Sequence, residues 1–275
     1  LQSLKYCFLY NLSLQFPYQP PKTCFSLSYD MITHENVLVN CYFLKNSLLF
    51  TFRGSMRRLI ISDLHLGCHY AKEKQLLEFL SQIDHFDELI LAGDIIDFLK
   101  IPTFTAQTTK LFEFVSNFTG KVIYIVGNHD IPFKPCIGTE LFGIKFAESW
   151  EFEENGKKFR IEHGDRYEKG IIHRKALIKI ISVFQDFLER LFNMNLSAWW
   201  QHLFENKKKA KRIWDILQWN DDADVFIMGH NHEPEVLIWV NEDEIIKTYV
   251  NSGDWTRHCT YVTVIDGVTR LKKFK

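Results

Sequence analysis

The sequence predicts an α/β fold in which mixed β-sheets form a sandwich and a helical insertion interrupts the strands. After position 56, apolar runs at 59–61, 89–92 and 122–126 alternate with two helical patterns, and this succession indicates a parallel sheet covered by helices. Later apolar runs are separated by short turns such as Asp266-Gly267 and therefore predict antiparallel strands. The predicted helices cover 73–80 and 108–118, and the other predicted strands cover 159–161, 225–228, 235–240, 245–250, 261–265 and 269–274.

Composition narrows the class of protein. Of the 275 residues, 46% are hydrophobic and 24% are charged, which is typical of a globular protein of one or two domains and excludes a disordered chain, collagen or a coiled coil. The formal net charge of -1 disfavours a protein that binds nucleic acid by neutralising many phosphates. Six cysteines without Cys-x-x-Cys spacing indicate neither a thiolate zinc site nor a disulfide framework, so we expect a reducing, cytoplasmic location.

The first 55 residues differ from the rest of the chain. They contain two acidic and four basic residues, three early prolines, and no apolar run near the ~18 residues that a membrane-spanning helix needs. The chain starts at Leu1, and Met56 stands directly before the first clear strand. We therefore expect 1–55 to be an unassigned leader that is dispensable or not part of the folded unit, and the domain to extend over 56–275.

Polar side chains follow five of the predicted strands, at the point where each strand ends. An aspartate and a histidine stand two residues apart after the first strand, and two histidines have the same spacing after the strand at 225–228. Each pair therefore projects to one side of an extended backbone. Ligand sites of open α/β sheets gather at the carboxyl ends of strands. Seven oxygen or nitrogen donors are expected to converge: Asp63, His65, Asp94, Asn128, His163, His230 and His232.

The joint occurrence of these motifs favours a metal site over the turn or cap role that each would have alone. A structural zinc site needs four ligands and a catalytic one about three, so seven donors indicate two ions. Carboxylate, carboxamide and imidazole without thiolate favour Mn, Fe or Zn, and we expect Mn. Two ions about 3.5–4 Å apart activate water and hold the oxygens of a displacement at phosphorus, so the sequence predicts a phosphoester hydrolase.

The motif series resembles that of the calcineurin-like metallophosphoesterases, which is Asp-x-His, Gly-Asp-x-x-Asp, Gly-Asn-His, His and Gly-His-x-His, and every motif is present here. The resemblance extends from Met56 to the end of the chain and implies a four-layer α/β sandwich. It also implies how the donors divide between two metal ions. Asp63, His65 and His232 would bind the first ion, Asn128, His163 and His230 would bind the second, and Asp94 would bridge them.

The resemblance implies catalytic roles for two further residues. His129 follows Asn128 and is expected to donate a hydrogen bond or a proton to a phosphoryl or leaving oxygen. Asp97 lies three residues past Asp94 and is expected to orient His129. A strand-end histidine in solvent and a solvated carboxylate are the alternative interpretations. The sequence singles out no substrate-binding residue.

Within the family, the chain resembles the branch related to UDP-2,3-diacylglucosamine diphosphatase, which cleaves a nucleotide-linked acyl sugar in lipid A synthesis. Phe98 follows Asp97, whereas protein serine/threonine phosphatases carry arginine there, and this difference disfavours a protein phosphatase. The segment 249–260 and the helical insertion are similar to that branch. However, the enzyme that gives this branch its name typically has arginine and glutamate where this chain has His129 and Asp97. A phosphodiesterase acting on a soluble nucleotide or nucleic acid is therefore an alternative, and a non-catalytic binding scaffold is another.

The helical insertion, at about 166–220, indicates how a substrate is held. It carries eleven basic and five acidic residues, and its first helix, predicted at 171–192, has an apolar side. Such a cap fits an anionic, acylated phosphoester substrate, or peripheral contact with an acidic membrane such as the inner face of the bacterial inner membrane. The alternative is a pair of helices, the second at 197–219, that packs on the sheet with solvated lysines.

Overall fold

A computed structural model describes residues 24–27, 56–83, 85–167, 175–192, 216, 222–240 and 246–275. Within these residues, two sheets face each other and three α-helices are present. The strands are β1 (Cys24–Leu27), β2 (Arg57–Ile61), β3 (Glu88–Ala92), β4 (Lys121–Ile125), β5 (Glu140–Leu141), β6 (Ile144–Ala147), β7 (Ser149–Glu154), β8 (Lys157–Glu162), β9 (Val225–Met228), β10 (Glu235–Val240), β11 (Ile246–Asn251), β12 (Thr260–Ile265) and β13 (Val268–Lys273). The helices are α1 (Glu73–Gln82), α2 (Ala106–Ser116) and α3 (Lys175–Phe192).

One sheet has seven strands in the described part of the chain, in the order β13-β12-β2-β3-β4-β6-β5. The neighbours β2, β3, β4 and β6 are parallel, and β12 pairs with β2 antiparallel. Parallel neighbours require a crossover, and α1 and α2 provide the first two. The predicted parallel arrangement is therefore confirmed, and the carboxyl ends of β2, β3 and β4 lie side by side.

The other sheet has six strands among the described residues, in the order β1-β10-β11-β9-β8-β7. β9 is parallel to both β8 and β11, whereas β10 and β7 pair with their neighbours antiparallel. Four strands of the two sheets, β1, β5, β6 and β7, are absent from the prediction. β5 has two residues and β7 carries three glutamates, so neither gives the apolar run on which the prediction relied.

The buried apolar side chains of the described residues form three clusters. One cluster, which includes Leu76 and Leu111, lies between the helices α1 and α2 and the seven-stranded sheet. Another fills the space between the two sheets and includes Ile123 and Ile227. The third lies on the outer face of the six-stranded sheet and includes Ile216. The protein is thus a mixed α/β sandwich, as the sequence predicts.

Hydrogen bonds join the amino-terminal ends of α1 and α2. The Thr105 side chain caps α2 by accepting hydrogen bonds from the backbone N–H groups of Gln107 and Thr108. The hydroxyl groups of Thr105 and Thr108 both donate to the Glu73 carboxylate in the first turn of α1. A negative charge at this position also interacts favourably with the helix dipoles.

The helix α3 lies within the predicted insertion and confirms the first of its two helical patterns. The second pattern, 197–219, lies outside the described residues apart from Ile216, and so does the basic run at 207–212. None of the described helices, α3 included, has the length and the apolar content that a membrane crossing requires.

Of the predicted leader, the structure describes β1, which pairs with β10 at the edge of the six-stranded sheet. The rest of 1–55 lies outside the described residues. The start of the folded unit near Met56 stays a prediction. We expect a chain that starts at Met56 to fold and to retain hydrolysis, because the three buried clusters lie after that residue. Its circular dichroism, solubility and turnover would be measured beside those of the full chain, and an insoluble product would show that β10 needs β1.

Packing between the sheets is expected to dominate stability. Ile123 is fully buried in the middle of β4. The substitution Ile123→Ala should lower the free energy of unfolding by about 2–5 kcal/mol, because it removes buried methyl groups and leaves a cavity. Ile101→Ala, at a residue that is 69% exposed, is the control and should change it by less than about 0.5 kcal/mol. Urea unfolding measures both values, and equal effects would contradict this account of the core.

Candidate metal centre

The seven predicted donors lie at the ends of strands from both sheets. Asp63 and His65 follow β2, Asp94 follows β3, and Asn128 follows β4. The remaining donors follow strands of the six-stranded sheet, His163 after β8 and His230 and His232 after β9. The parallel pairs β2–β3–β4 and β8–β9 direct these ends to one edge of the sandwich.

Asp63, His65 and His232 form one group of donors. The Nε2 atom of His232 is 3.2 Å from Asp63 Oδ1 and 3.3 Å from His65 Nε2. One donor atom from each of the three residues lies within 4.8 Å of the other two. Two imidazole nitrogens and a carboxylate oxygen at these distances fit the coordination of one divalent cation.

Asp94, His163 and His230 form a second group by the same criterion. The Nε2 atom of His163 is 3.1 Å from Asp94 Oδ2 and 3.1 Å from Asn128 Oδ1. Asp94 Oδ2 is also 4.0 Å from the Nε2 atom of His65 in the first group. Asp94 thus belongs to the second group and also approaches the first, and its bridging of two ions stays a prediction.

The backbone at these donors is unusual. Asp63, His65, Asp94, His230 and His232 have φ values between 47° and 66°, a region in which residues other than glycine are uncommon. Such residues concentrate at functional sites, where the surrounding structure holds them in place. Here the holding contacts are hydrogen bonds between loops, because the backbone N–H of Asp63 donates to Gly93 O and that of His65 to Asp94 O, both at 3.0 Å.

Glycine precedes Asp94 for a steric reason. Gly93 has a φ of +87°, and a Cβ atom added there would collide with the imidazole of His163. The imidazole of His163, which follows a strand of the other sheet, thus occupies the space that a side chain at position 93 would need. The Nδ1 atom of that imidazole is 3.1 Å from the carbonyl oxygen of Ala92, and a hydrogen bond donated there leaves Nε2 free to bind a cation.

Burial and charge set the protonation of the donors. Burial acts to lower the pKa of His163, but Asp94 raises it to about 10. Burial, together with His129 and His232, lowers the pKa of His65 to about 3. Burial acts to raise the pKa of Asp94, but His163 and His129 hold it well below its usual value. A cation must therefore displace a proton from His163, and its affinity should fall as the pH falls.

His129 and Asp97 form a pair beside the second group. The Nδ1 atom of His129 is 2.7 Å from Asp97 Oδ1, and its Nε2 atom is 3.7 Å from Asp94 Oδ2. Burial acts to lower the pKa of His129, but Asp94 and Asp97 raise it to about 9. Asp97 is itself buried, and the neighbouring imidazole lowers its pKa to about 2. The geometry matches the expected orienting contact and leaves the side chain of His129, 22% exposed, open to a ligand.

The same two residues also belong to a third group of donors. His65, Asp97 and His129 place one donor atom each within 4.8 Å of one another. This group shares His65 with the first group. The role of His129 as a proton donor stays a prediction.

Two buried aspartates of the site lie outside the predicted set of ligands and catalytic residues. Asp130 accepts hydrogen bonds from the backbone N–H groups of Ile96 and Gly127 and from the hydroxyl group of Tyr124, at 2.7–3.1 Å. It thereby joins the loop after β3 to the loop after β4. Its position directly after the Gly-Asn-His motif was the available signal, but a carboxylate there is equally typical of a turn.

The second of these residues is Asp254, which follows β11. Its Oδ2 atom is 3.2 Å from His232 Nδ1, and its Oδ1 atom accepts from the backbone N–H groups of Arg257 and His258. Asp254 is fully buried, and although burial acts to raise its pKa, hydrogen bonds from His232 and His258 lower it below the usual range. A carboxylate that accepts the second N–H of a ligand histidine fixes which nitrogen faces the metal.

The helix α3 approaches the site through one ion pair. Lys100, which follows the Asp97 loop, lies 2.8 Å from Glu189 on α3, and both side chains are buried. The Gln185 side chain donates to the same carboxylate. On other sides of the helix, large apolar side chains are exposed, so the predicted apolar side of the insertion is present. These residues are Ile180, Ile181, Phe184, Phe187, Leu191 and Phe192.

The comparison with known protein families agrees with the motif series. Residues 56–234 match the family described as calcineurin-like phosphoesterase. This chain belongs to that family. It is therefore a metal-dependent hydrolase, and the family assignment implies that it uses divalent metal ions.

Similar proteins of known name come from two bacteria. The UDP-2,3-diacylglucosamine hydrolase of Vibrio cholerae serotype O1 is 24% identical over 234 residues, which cover 73% of this chain and 91% of that protein. The protein of the same name from Porphyromonas gingivalis is 25% identical over 252 residues, or 76% of this chain and 93% of its own length. Among solved structures, a metallophosphoesterase from Sphaerobacter thermophilus has a TM-score of 0.45 and 15% identity, covering 81% of this chain and 89% of its own.

The contact between Asp254 and His232 predicts that Asp254 orients this histidine for metal binding. Asp254→Asn should weaken Mn²⁺ binding by about 10–100-fold, because loss of the carboxylate releases the orientation of His232. Asp266→Asn, the same substitution in an exposed turn, is the matched control and should bind the metal normally. Equilibrium dialysis with elemental analysis measures the affinity, and thermal melting shows whether both variants fold. Equal affinities in the two variants would contradict the orienting role.

Proposed function

We propose that this protein hydrolyses the pyrophosphate bond of a nucleotide-linked acyl sugar, with UDP-2,3-diacylglucosamine as the substrate. The observation that carries the proposal is the pair of donor groups that meet at Asp94 with His129 beside them. The proteins named UDP-2,3-diacylglucosamine hydrolase support the choice of substrate, because this chain aligns with about nine tenths of their length. Hydrolysis of this substrate would place the protein in lipid A synthesis.

The ligand assignment follows from the two groups. Asp63, His65 and His232 would hold one divalent ion, Asn128, His163 and His230 would hold the other, and Asp94 would contact both. When bound, the two ions supply an activated water and neutralise charge on the phosphoryl oxygens. We propose Mn as the metal, with Fe and Zn as alternatives, because the donors are carboxylate, carboxamide and imidazole.

The chain itself supplies the proton. Asp94 and Asp97 raise the pKa of His129 to about 9 against the effect of burial, and this residue would donate a proton from Nε2 to a phosphoryl or leaving oxygen. The Asp97 carboxylate accepts from Nδ1 at 2.7 Å and holds the ring in that orientation. The same carboxylate stabilises the imidazolium form between turnovers.

The helical insertion would bind the acylated part of the substrate. The exposed apolar side chains of α3 offer contact area for hydrocarbon, and the excess of basic residues at 166–220 attracts an anionic headgroup. The same surface would hold the protein at the inner face of the bacterial inner membrane by peripheral contact.

A second candidate is a phosphodiesterase that acts on a soluble nucleotide or nucleic acid. It is favoured by the pair His129 and Asp97. The enzyme that gives the diphosphatase branch its name typically has arginine and glutamate at these two positions. A non-catalytic scaffold is disfavoured, since such a protein is expected to have lost metal-binding donors, whereas all seven are present and together.

Turnover separates these candidates. With Mn²⁺ present, we expect the protein to hydrolyse UDP-2,3-diacylglucosamine faster than bis-4-nitrophenyl phosphate, cyclic nucleotides or a short single-stranded DNA. His129→Ala should lower that rate by about 10²–10⁴-fold and leave the metal content unchanged. The control His85→Ala, at an exposed histidine remote from the motifs, should keep the rate. A folded, metal-loaded protein that hydrolyses none of these compounds would refute both enzymatic candidates.

A further inference from the structure

An apolar cavity of about 270 Å³ lies between the seven-stranded sheet and the helices α1 and α2. Leu64 and Leu66 line it, and along the chain they alternate with the predicted ligands Asp63 and His65. The remaining lining comes from helix, sheet and turn residues, and the cavity exposes only apolar surface. It is therefore separated from the metal centre by the loop that carries the ligands.

The size and lining of this cavity fit a hydrocarbon ligand. Protein interiors contain few voids larger than a water molecule. An engineered cavity of about 150 Å³ lined by leucine, isoleucine and phenylalanine stays dry and binds benzene. The cavity here is larger and has the same kind of lining, so water gains no hydrogen-bonding partner inside it and a hydrocarbon group larger than one benzene ring fits.

The rim of the cavity has two features of a binding site. Phe142 lies at the tip of the β5–β6 hairpin and is 97% exposed, and Leu141 beside it is 42% exposed. Both side chains contribute to the lining. Phe142 has a φ of 54°, whereas this position of a two-residue hairpin favours Asn, Asp or Gly. A large apolar side chain is therefore held in solvent by a strained turn, where a bound ligand would cover it.

We propose that this cavity is a binding site for an alkyl chain, which enters beside Leu141 and Phe142. The polar end of the ligand, such as a hydroxyl or carboxyl group, stays in water at the rim, because the lining offers it no partner. The site is separate from the metal centre, and the ligand is a molecule other than the substrate undergoing hydrolysis. The proposal does not depend on which phosphoester the protein cleaves.

The test uses the full-length, Mn-loaded protein and the uncharged fluorophore N-phenyl-1-naphthylamine. We expect one molecule to bind in the cavity and dodecan-1-ol to displace it. Leu141→Lys should weaken binding by about tenfold or more, because it places an ammonium group at the rim. Val115→Phe, which fills the cavity from α2, should also weaken it. Ile101→Ser, at an exposed apolar residue that lies outside both the cavity lining and α3, is the matched control and should change nothing.

A second measurement locates the ligand. Cys136 lines the cavity and is partly exposed, so dodecan-1-ol should slow its alkylation by N-ethylmaleimide, measured on the peptide that contains it. Thermal melting checks that each variant folds, and hydrolysis by Leu141→Lys should stay within about twofold, since residue 141 is remote from the metal donors. An unchanged alkylation rate overturns the proposal. So does a fluorophore signal displaced by dodecan-1-ol that neither cavity variant lowers, or that Ile101→Ser lowers as much as they do.

Discussion

Two carboxylates that must stay ionised inside the protein, Asp63 and Asp94, are the constraint on which the site depends. Both are almost fully buried, and an ionised carboxylate removed from water is costly unless opposite charge and hydrogen bonds compensate it. Imidazole nitrogens surround both carboxylates, and backbone N–H groups of His230 and His129 donate to them. Cations are the remaining source of compensation, so the local electrostatics and the predicted metal chemistry point in the same direction.

Strand connectivity makes this concentration of charge possible. Parallel neighbours in each sheet bring strand ends, and therefore the loops after them, to one edge of the sandwich. The loops leave the strands through left-handed residues that turn the chain sharply. Hydrogen bonds between neighbouring loops, and the buried carboxylates of Asp130 and Asp254, then fix each loop against the next. The sheets thus hold the loops in fixed positions, and the loops bear the predicted metal-binding side chains.

Much of this arrangement could be predicted because apolar runs and the polar motifs after them are local signals. The parallel order of β2, β3 and β4 follows from their helical crossovers, and the convergence of the seven donors follows from their positions at strand ends. The strands β1 and β5 to β7 could not be predicted, because short or half-polar strands are stabilised by neighbours in the sheet and not by their own sequence. The contact between Asp254 and His232 could not be predicted either, because it joins the loops that follow two different strands, β11 and β9.

The ion pair between Lys100 and Glu189 links the sequence of the insertion to the sequence of the sandwich during evolution. One partner lies in the segment between β3 and α2, and the other lies on α3, 89 positions away in the chain. A chimera that received the insertion of a relative without a matching carboxylate would bury an unpaired ammonium group, at a cost of about 3–5 kcal/mol. Exchange of the insertion alone would therefore be selected against, and the two segments are expected to be replaced jointly or not at all.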